Sequence, residues 1–262
     1  MVTCFVNGKE VMASKSFFHR LHRRWKRLWL KPIHVFLFHH VSEEYNPLIA
    51  AKSDWTSTEQ FKKNINQLQK DFGFISLEKA WKRLNHDRFR LRKYAVLTAD
   101  DGYRSILEVL PWLERQGVPI TIFVNTKYLD KKSWGEVNEE VAKEFDPNVD
   151  MLSEVCPDLF MSQDELFALD SPMISIGLHG HEHLEATKQS EKEFRDNVEI
   201  CKQIISKHSG FVPFFAFPWG NHDEMTDRIV REMNLVPVLV NGMKNDNKTE
   251  CINRFCIDGK HI

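Results

Sequence analysis

Two adjacent carboxylates close an apolar stretch in the segment AVLTADDGY, residues 95–103. Asp100 and Asp101 follow a run with strand character, and Gly102 permits a sharp turn that lets both side chains face the same space. Like charges this close repel each other, so a bound cation would explain why they are adjacent. A helix N-cap followed by an acidic first-turn residue is the alternative, and this stretch alone does not decide between them.

A histidine-rich segment, IGLHGHEH at residues 176–183, ends another apolar run. The spacing of His179 and His183 predicts a helical turn with both imidazoles on one side, and His181 would then point elsewhere. Two neutral imidazoles and one carboxylate are typical of a divalent-metal site with open positions for water or substrate. The alternative is a solvated histidine-rich loop.

A third segment, FAFPWGN at residues 215–221, joins an apolar strand end to a tight turn. The turn at Pro218, Trp219 and Gly220 can offer a backbone N–H to an oxygen that gains negative charge during a reaction. By itself this is an ordinary turn, so its relevance depends on the other two segments.

The elements that must position these groups alternate along the chain between apolar runs and helical patterns. The apolar runs are nearly continuous, which predicts a parallel sheet covered by helices on both faces. Their number favours a barrel, whose catalytic groups lie at the carboxyl ends of the strands. No GxGxxG fingerprint supports a dinucleotide-binding sheet. We expect strands at residues 33–41, 95–99, 118–125, 173–178, 211–217, 236–240 and 252–257, and helices at residues 58–70, 104–116, 191–207 and 223–233.

The composition is that of a soluble globular domain. Of the 262 residues, 42% are hydrophobic and 28% are charged, and the formal net charge of −1 indicates no nucleic-acid partner. The sequence has no apolar run of about 18 residues and no secretory-signal pattern at its N-terminus, so we expect no transmembrane helix and a cytoplasmic location. The five cysteines are scattered without a CxxC pair, which is typical of free thiols.

The predicted organisation is a basic N-terminal segment, residues 1–31, followed by one domain, residues 32–262, with an irregular insertion at 126–172. Residues 15–31 carry seven Lys and Arg and no acid, with apolar residues at helical spacing. Such an amphipathic helix would either cap one end of the barrel or make peripheral contact with an anionic membrane.

Together, the TxDDG strand end, the HxxxH segment and the PWG turn resemble the polysaccharide deacetylases of carbohydrate esterase family 4, the NodB-type domain. The resemblance runs from about residue 33 to residue 258 and includes the segments FHHVS, FKKNINQLQKDFGFISLEKAW and LPWLERQGVPITIFV. It implies an α/β fold, a distorted parallel (β/α)7-type barrel in a single domain. It also implies a metal-dependent hydrolase that removes N-acetyl groups from an amino sugar or glycan, in polysaccharide or cell-surface glycan metabolism.

The same resemblance implies roles for the charged residues. Asp101, His179 and His183 would hold the metal, with Zn²⁺ as the default and Co²⁺, Ni²⁺ or Mn²⁺ as alternatives. Asp100 would be the general base that takes a proton from a metal-activated water. Of the two adjacent carboxylates, Asp101 would thus bind the metal and Asp100 would accept the proton.

The resemblance also implies an oxyanion site and a general acid. The backbone N–H of Trp219, in the turn with Pro218 and Gly220, would stabilise the oxyanion. Many members carry the general acid on a C-terminal Leu-x-Leu-His strand, and nothing from residue 236 onward fits that motif. The segment FLFH resembles the permuted arrangement of poly-N-acetylglucosamine deacetylases, so we expect its His39 to be the general acid and His40 to face the other way. Packing at the barrel rim is the alternative for either histidine.

The sequence departs from the family pattern at three further positions. Ala99 stands where an aromatic residue is usual, and Gly180 where a Ser or Thr hydroxyl would support the loop. Ala216 stands where an Arg usually pairs with the catalytic base. Arg254, on the last strand, is the candidate substitute for base support, although a lone Arg is often a structural ion pair.

Three alternatives to this function stay open from the sequence. The same fold could hydrolyse a non-sugar C–N amide bond, or it could be a carbohydrate-binding domain with impaired catalysis, as the missing Arg at Ala216 suggests. A scaffold role would predict no bound metal. In the insertion, Trp134 and Phe160 are candidates either for stacking on a sugar or for packing in the core.

Overall fold

The computed structural model describes residues 3–6, 9–12, 30–44, 54–87, 89–129, 159–246 and 249–260. Of the basic segment predicted to be helical, only Leu30 and Lys31 fall within these ranges, and Trp134 lies outside them. The boundary after residue 31 and the role of the basic segment therefore stay predictions.

The described strands are short and mostly apolar. They are β1 (Thr3–Val6), β2 (Lys9–Met12), β3 (Ile33–Phe38), β4 (His40–Val41), β5 (Trp55–Thr56), β6 (Gly73–Phe74), β7 (Tyr94–Ala99), β8 (Ile120–Val124), β9 (Ile174–Leu178), β10 (Phe211–Ala216), β11 (Val236–Val240) and β12 (Ile252–Cys256).

Seven parallel strands close into a barrel in the order β3-β12-β11-β10-β9-β8-β7, because β7 pairs back with β3. The closing pairs run without a break from Ile33 opposite Tyr94 to Phe38 opposite Ala99. Strand β6 adds two residues beside the beginning of β7, while β1 and β2 form a separate antiparallel hairpin. The predicted parallel (β/α)7-type barrel in a single domain is confirmed.

Six described α-helices accompany the strands. They are α1 (Thr58–Asp71), α2 (Leu77–His86), α3 (Ile106–Arg115), α4 (Gln163–Phe167), α5 (Glu191–Ile205) and α6 (Glu224–Glu232). Helix α1 begins where the Ser57 side chain accepts a hydrogen bond from the backbone of Gln60, and it buries Phe61, Ile65 and Leu68 on one face. The predicted helices at 58–70, 104–116, 191–207 and 223–233 differ from the observed ones by one or two residues at their ends.

Helix α2 was not among the predicted helices. Its Leu77, Ala80 and Leu84 recur at helical spacing after the N-cap Ser76, and they are buried in one cluster with Ile33 and other strand residues. Helix α2 therefore contributes three side chains to this cluster. The core residues outside that cluster lie largely between the strands and the other helices.

The insertion at residues 126–172 was predicted to be irregular; the structure describes its residues 126–129 and 159–172, which include one short helix. Ser162 and Glu165 form a reciprocal capping box, so Gln163–Phe167 becomes the short helix α4. The Phe160 ring is stacked between Tyr103 and Tyr128, with centroids 5.1 and 5.0 Å away. Phe160 is therefore a packing residue in this structure and does not line the cavity described below.

Across the described ranges, no helix has both the length and the apolar character needed to span a membrane.

Candidate active site

The carboxyl ends of the barrel strands surround a cavity of about 510 Å³. Parallel barrels gather side chains at this end because every strand terminates there in a loop. The cavity contains the predicted metal ligands, base and acid, together with the turn at Trp219. It is lined by Leu37, His39, Asp54, Asp100, Asp101, His179, His183, Phe217, Trp219, Gly220, Val240 and Cys256.

The backbone at the end of β7 reverses direction at the two carboxylates. Asp101 has a φ of 70° and Gly102 a φ of 75°, both in the left-handed region. A β-carbon on Gly102 would lie 3.2 Å from Val124 Cγ1, so glycine also provides room. Helix α3 begins later, after Ser105, so neither carboxylate is its N-cap. The helix-cap interpretation of the motif is therefore wrong.

Asp101, His179 and His183 converge in the cavity and are all buried. Oδ1 of Asp101 lies 3.1 Å from Nε2 of His179 and 3.3 Å from Nε2 of His183. One donor atom from each residue lies within 4.8 Å of the others, which is the grouping needed to surround one ion. The structure thus brings together the three predicted metal ligands.

The hydrogen bonds around this triad fit a divalent cation. Nδ1 of His179 lies 2.9 Å from the carbonyl of Ala216, so it donates its proton there and Nε2 presents a lone pair to Asp101. Oδ1 of Asp101 is buried and meets hydrogen-bond geometry with no group in the structure. Two acceptors that face each other need either a shared proton or a cation between them. Imidazole and carboxylate donors suit Zn²⁺, and also Co²⁺, Ni²⁺ or Mn²⁺.

Burial opposes ionisation of Asp101, but His179 and His183 outweigh it and hold the pKa of this carboxyl well below its usual value. Asp101 is therefore an anion at neutral pH. An anionic oxygen is the form in which a carboxylate binds a metal.

The segment from His179 to His183 is not the helical turn that its spacing predicted. It is an irregular loop in which Gly180 has a φ of 87°. The amide of Asn125, oriented to satisfy both partners, lies 2.8 Å from the carbonyl of His181 and 2.9 Å from the backbone N–H of His183. The two metal-ligand rings nevertheless share one side, with centroids 5.1 Å apart.

His181 is turned away from the triad, as predicted for the middle histidine. Its Nδ1 lies 3.0 Å from Oγ1 of Thr126, and it does not line the cavity.

Asp100 is bound by Arg254 through both carboxylate oxygens. The distances are 2.6 Å from Nη1 to Oδ1 and 2.8 Å from Nη2 to Oδ2, and both side chains are buried. Burial raises the pKa of Asp100, but Arg254 together with His179 and His39 more than offsets it, so the pKa lies below its usual value. Ala216, which stands where an Arg was expected, contributes its carbonyl to His179 instead. The structure therefore places the predicted substitute, Arg254, against the predicted base.

His39 is held by the buried carboxylate of Asp258. Its backbone N–H donates to Oδ1 at 3.0 Å, and its Nδ1 lies 2.6 Å from Oδ2. Burial lowers the pKa of His39, but Asp258 and the other nearby carboxylates outweigh it and raise the pKa to about 10. His40 does not line the cavity, and burial lowers its pKa to about 4. His39 therefore lines the cavity, whereas the neighbouring His40 does not.

The third predicted segment forms a tight turn at the rim of the cavity. Trp219 has a φ of 62° and Gly220 a φ of 70°. The N–H of Gly220 donates to Phe217 at 3.0 Å, and the indole of Trp219 donates to the carbonyl of His183 at 3.3 Å. Pro218 is buried in this turn. The oxyanion role of the Trp219 backbone stays a prediction.

Sequence reasoning missed several residues of the site, among them Asp258, Asn125 and Tyr103. Asp258 follows β12 and precedes a glycine, and a carboxylate at the end of the last strand was the available signal. Asn125 directly follows β8, so its position at a strand end also pointed to the site. Tyr103 is buried with its hydroxyl hydrogen-bonded to Asp101, and nothing in its sequence context indicated this contact.

The parallel barrel thus gathers two histidines and the adjacent carboxylates Asp100 and Asp101 at the carboxyl ends of its strands, with His39 beside them. The family model for polysaccharide deacetylases matches residues 89–238, which is more than half of the chain. The protein therefore belongs to the polysaccharide deacetylase family. Its sequence has no match among curated proteins.

Solved structures share the fold at low sequence identity. IcaB from Ammonifex degensii is 17% identical with a TM-score of 0.68, over 87% of this chain and 93% of IcaB. The Streptococcus pyogenes deacetylase PplD, solved with acetate, is 16% identical with a TM-score of 0.67, over 87% of this chain and 93% of PplD. The BpsB deacetylase domain from Bordetella bronchiseptica is 18% identical with a TM-score of 0.61, over 86% of this chain and 95% of that domain.

Proposed function

We propose that this protein is a metal-dependent hydrolase that removes N-acetyl groups from an amino sugar or glycan. One observation carries the proposal. Asp100 and His39, both suited to proton transfer, line the same cavity as the His-His-Asp triad, and each is held by its own buried partner. Hydrolysis of an acetamide needs a base for water, a site for the oxyanion and an acid for the departing amine.

The triad would hold the divalent ion through Asp101, His179 and His183. A Zn²⁺ ion in such a site lowers the pKa of a water molecule and polarises an acyl oxygen. Family membership and the unsatisfied oxygen of Asp101 both support this assignment.

Asp100 would accept the proton of the attacking water. Its lowered pKa keeps it ionised at neutral pH, so it is ready to accept. Arg254 bonds each oxygen once and fixes the plane of the carboxylate, which leaves further lone pairs on both oxygens. Arg254 would therefore orient the base as well as keep it charged.

His39 would donate a proton to the departing amine nitrogen. Its Nδ1 is occupied by Asp258, so Nε2 is the ring nitrogen left for a substrate. With a pKa of about 10, the ring is protonated at neutral pH, and a cation in the neighbouring triad would lower this value by repulsion. The imidazole of His39 would thus carry the proton to be donated before the reaction begins.

The backbone N–H of Trp219 would stabilise the negative oxygen that forms when water adds to the acetamide carbonyl. The left-handed conformation of Trp219, at the rim of the cavity that holds the triad, supports this role. Pro218 and Gly220 would fix the conformation of the turn.

A binding domain with impaired catalysis is the weaker candidate. It was motivated by the missing Arg at Ala216, and Arg254 supplies a guanidinium to Asp100 from another strand. A binding role alone gives no reason for a charged base and a charged acid beside the triad.

The proposal extends to the setting of the reaction. An acetylated carbohydrate is the substrate class of the family, which supports a role in polysaccharide or cell-surface glycan metabolism. Cys201, Cys251 and Cys256 are free thiols, which supports a cytoplasmic location. The seven basic residues of segment 15–31 support peripheral contact with an anionic membrane.

The test combines metal content with acetate release. Purified protein should contain stoichiometric divalent metal by mass spectrometry and should release acetate from N-acetylglucosamine oligomers or conjugates. Acetate release should fall sharply in Asp100→Asn. Bound metal without acetate release from any sugar acetamide would favour a non-sugar C–N amide hydrolase or a binding domain. Absence of any metal affinity would contradict the metal site itself.

A further inference from the structure

The loop between His179 and His183 is held from outside the cavity by one side chain of α5, Asn197. Its Oδ1 accepts hydrogen bonds from the backbone N–H groups of His181 at 2.6 Å and Glu182 at 3.2 Å. Its Nδ2 donates to the carbonyl of Glu182 at 3.2 Å. One carboxamide thus satisfies two consecutive backbone N–H groups of the loop and also donates to the carbonyl of Glu182, which accepts from the backbone N–H of Leu184 at 2.9 Å.

Gly180 is complementary to this side chain. A β-carbon at Gly180 would lie 3.0 Å from Oδ1 of Asn197 and 3.1 Å from the carbonyl of Glu182, and the φ of 87° already disfavours other residues. The resemblance led us to expect a supporting hydroxyl at position 180. In this chain, position 180 has no side chain, and the carboxamide of Asn197 occupies the adjacent space.

The two metal-ligand histidines differ in how they are fixed. His179 is held by Ala216 through its ring and by Val124 through its backbone N–H, independently of α5. His183 lies at the far end of the loop that Asn197 binds, and Asn125 holds the same end from β8. Loss of Asn197 should therefore loosen His183 relative to His179 without unfolding the loop.

We propose that Asn197 is a positioning residue for the metal site. It touches neither the triad nor the cavity and acts through the backbone of residues 181 and 182, setting the separation of the two imidazoles that face Asp101. This inference rests on the proposed metal-dependent function. It adds that metal affinity in this chain depends on a side chain of α5.

The experiment measures Zn²⁺ affinity by competition with a chromogenic chelator, and the visible spectrum of the Co²⁺-loaded protein. Asn197→Ala should lower Zn²⁺ affinity about 10- to 100-fold, the range seen when a group that orients metal ligands is removed. Its Co²⁺ spectrum should change, because the ligand geometry changes. Asn197→Asp keeps the acceptor oxygen for the N–H groups of residues 181 and 182 but places a second acceptor against the carbonyl of Glu182, so it should recover only part of the lost affinity.

Asn64→Ala is the matched control for loss of a helix asparagine. Asn64 lies on α1, donates to the carbonyl of Lys260 at 2.7 Å and does not line the cavity. This variant should lose stability yet keep wild-type Zn²⁺ affinity and the wild-type Co²⁺ spectrum. Equal losses of affinity in Asn64→Ala and Asn197→Ala would overturn the positioning role, since the effect would then be general destabilisation.

The remaining outcomes separate the two proposals. Wild-type protein that binds no Zn²⁺ contradicts the proposed function. Wild-type protein that binds Zn²⁺ with the same affinity as Asn197→Ala contradicts only the role of Asn197. If Asn197→Ala does not fold, Gly180→Ala carries the test, because its methyl group displaces the same carboxamide. Undiminished Zn²⁺ affinity in folded Gly180→Ala would then overturn the inference.

Discussion

Arg254, on β12, donates hydrogen bonds to both carboxylate oxygens of Asp100, which follows β7. Strand β3 lies between β12 and β7 in the barrel, so the contact crosses a strand. The guanidinium also donates to Oγ1 of Thr98 at 3.2 Å, and its carbon lies 5.2 Å from the centre of the Phe123 ring. The exposed fractions are 0% for the Arg254 side chain and 4% for that of Asp100. Two charges so fully removed from water depend on each other.

Replacement of Arg254 by Met should therefore affect both stability and the pH profile. Removal of one partner from a buried pair should cost about 3–5 kcal/mol of unfolding free energy, because the Asp100 charge is left uncompensated. The pKa of Asp100 should rise, so the acidic limb of kcat/KM should move to higher pH. Because the native pKa is depressed, the pair stabilises the wild type above the unfolded pKa of about 3.9, and this is lost as pH falls through the native pKa.

Urea denaturation and a pH series of acetate release check this expectation. Arg195→Met is the control, since Arg195 pairs with Glu232 at 2.7 Å on the surface and its loss should have little effect on stability. An acidic limb at the same pH in Arg254→Met and wild type would contradict the assigned base.

Substitution by Asn at Asp100 and at Asp101 should have opposite effects on metal binding. Asp100→Asn removes a base, so Zn²⁺ should stay bound while kcat falls about 10²- to 10⁴-fold. Asp101→Asn removes a ligand, so Zn²⁺ should be lost together with activity. Metal content and acetate release, measured on the same samples, distinguish the two. Loss of metal from Asp100→Asn with retention in Asp101→Asn would reverse the assignment.

The sequence was sufficient for the seven barrel strands, for four of the six described helices and for most residue types of the site. Continuous apolar runs predicted parallel strands, and strand ends carrying Asp101, His179 and His183 predicted that these residues meet, because parallel strands share one carboxyl edge. Helix ends were predictable to within a residue or two, since caps such as Ser57 and Ser190 are local signals.

The partners of these residues were harder to predict because they depend on tertiary contacts. Asp258, which follows β12, contacts His39 although more than two hundred residues separate them in the sequence. No local pattern specifies that pairing. The HxxxH spacing suggested a helix, whereas Gly180 and Asn197 make the segment a loop, so tertiary hydrogen bonds override the local periodicity. Arg254 was predicted as a candidate, and only the fold brings its guanidinium to Asp100.

Asp258→Asn should lower the pKa of His39 while keeping a similar shape and an acceptor oxygen. The alkaline limb of kcat/KM should then move to lower pH. The wild-type pKa is raised from about 6.5 to about 10, so the pair stabilises the fold fully below about pH 6.5 and loses this effect as pH rises through about 10. The stability advantage of wild type over Asp258→Asn should therefore shrink between these pH values.

Asp54→Asn is the comparison for this prediction. Asp54 lies 4.0 Å from the same Nδ1 of His39, against 2.6 Å for Asp258, so its loss should move the alkaline limb less. Thermal unfolding across pH and the kcat/KM profile provide the two measurements. His39→Ala should lose turnover and keep its metal, and loss of metal in that variant would make His39 a ligand.

Removal of metal should destabilise the wild type but not Asp101→Asn. In the metal-free wild type, a buried carboxylate faces two imidazoles with one oxygen unsatisfied, which is costly. Zn²⁺ that binds only the folded state should add about 2.7 kcal/mol when free Zn²⁺ is 100 times its Kd. Asn at position 101 removes one of the three ligands, so this variant should gain little from Zn²⁺. Melting temperatures with chelator and with Zn²⁺ measure the difference. An equal gain from Zn²⁺ in both proteins would place the metal away from Asp101, His179 and His183.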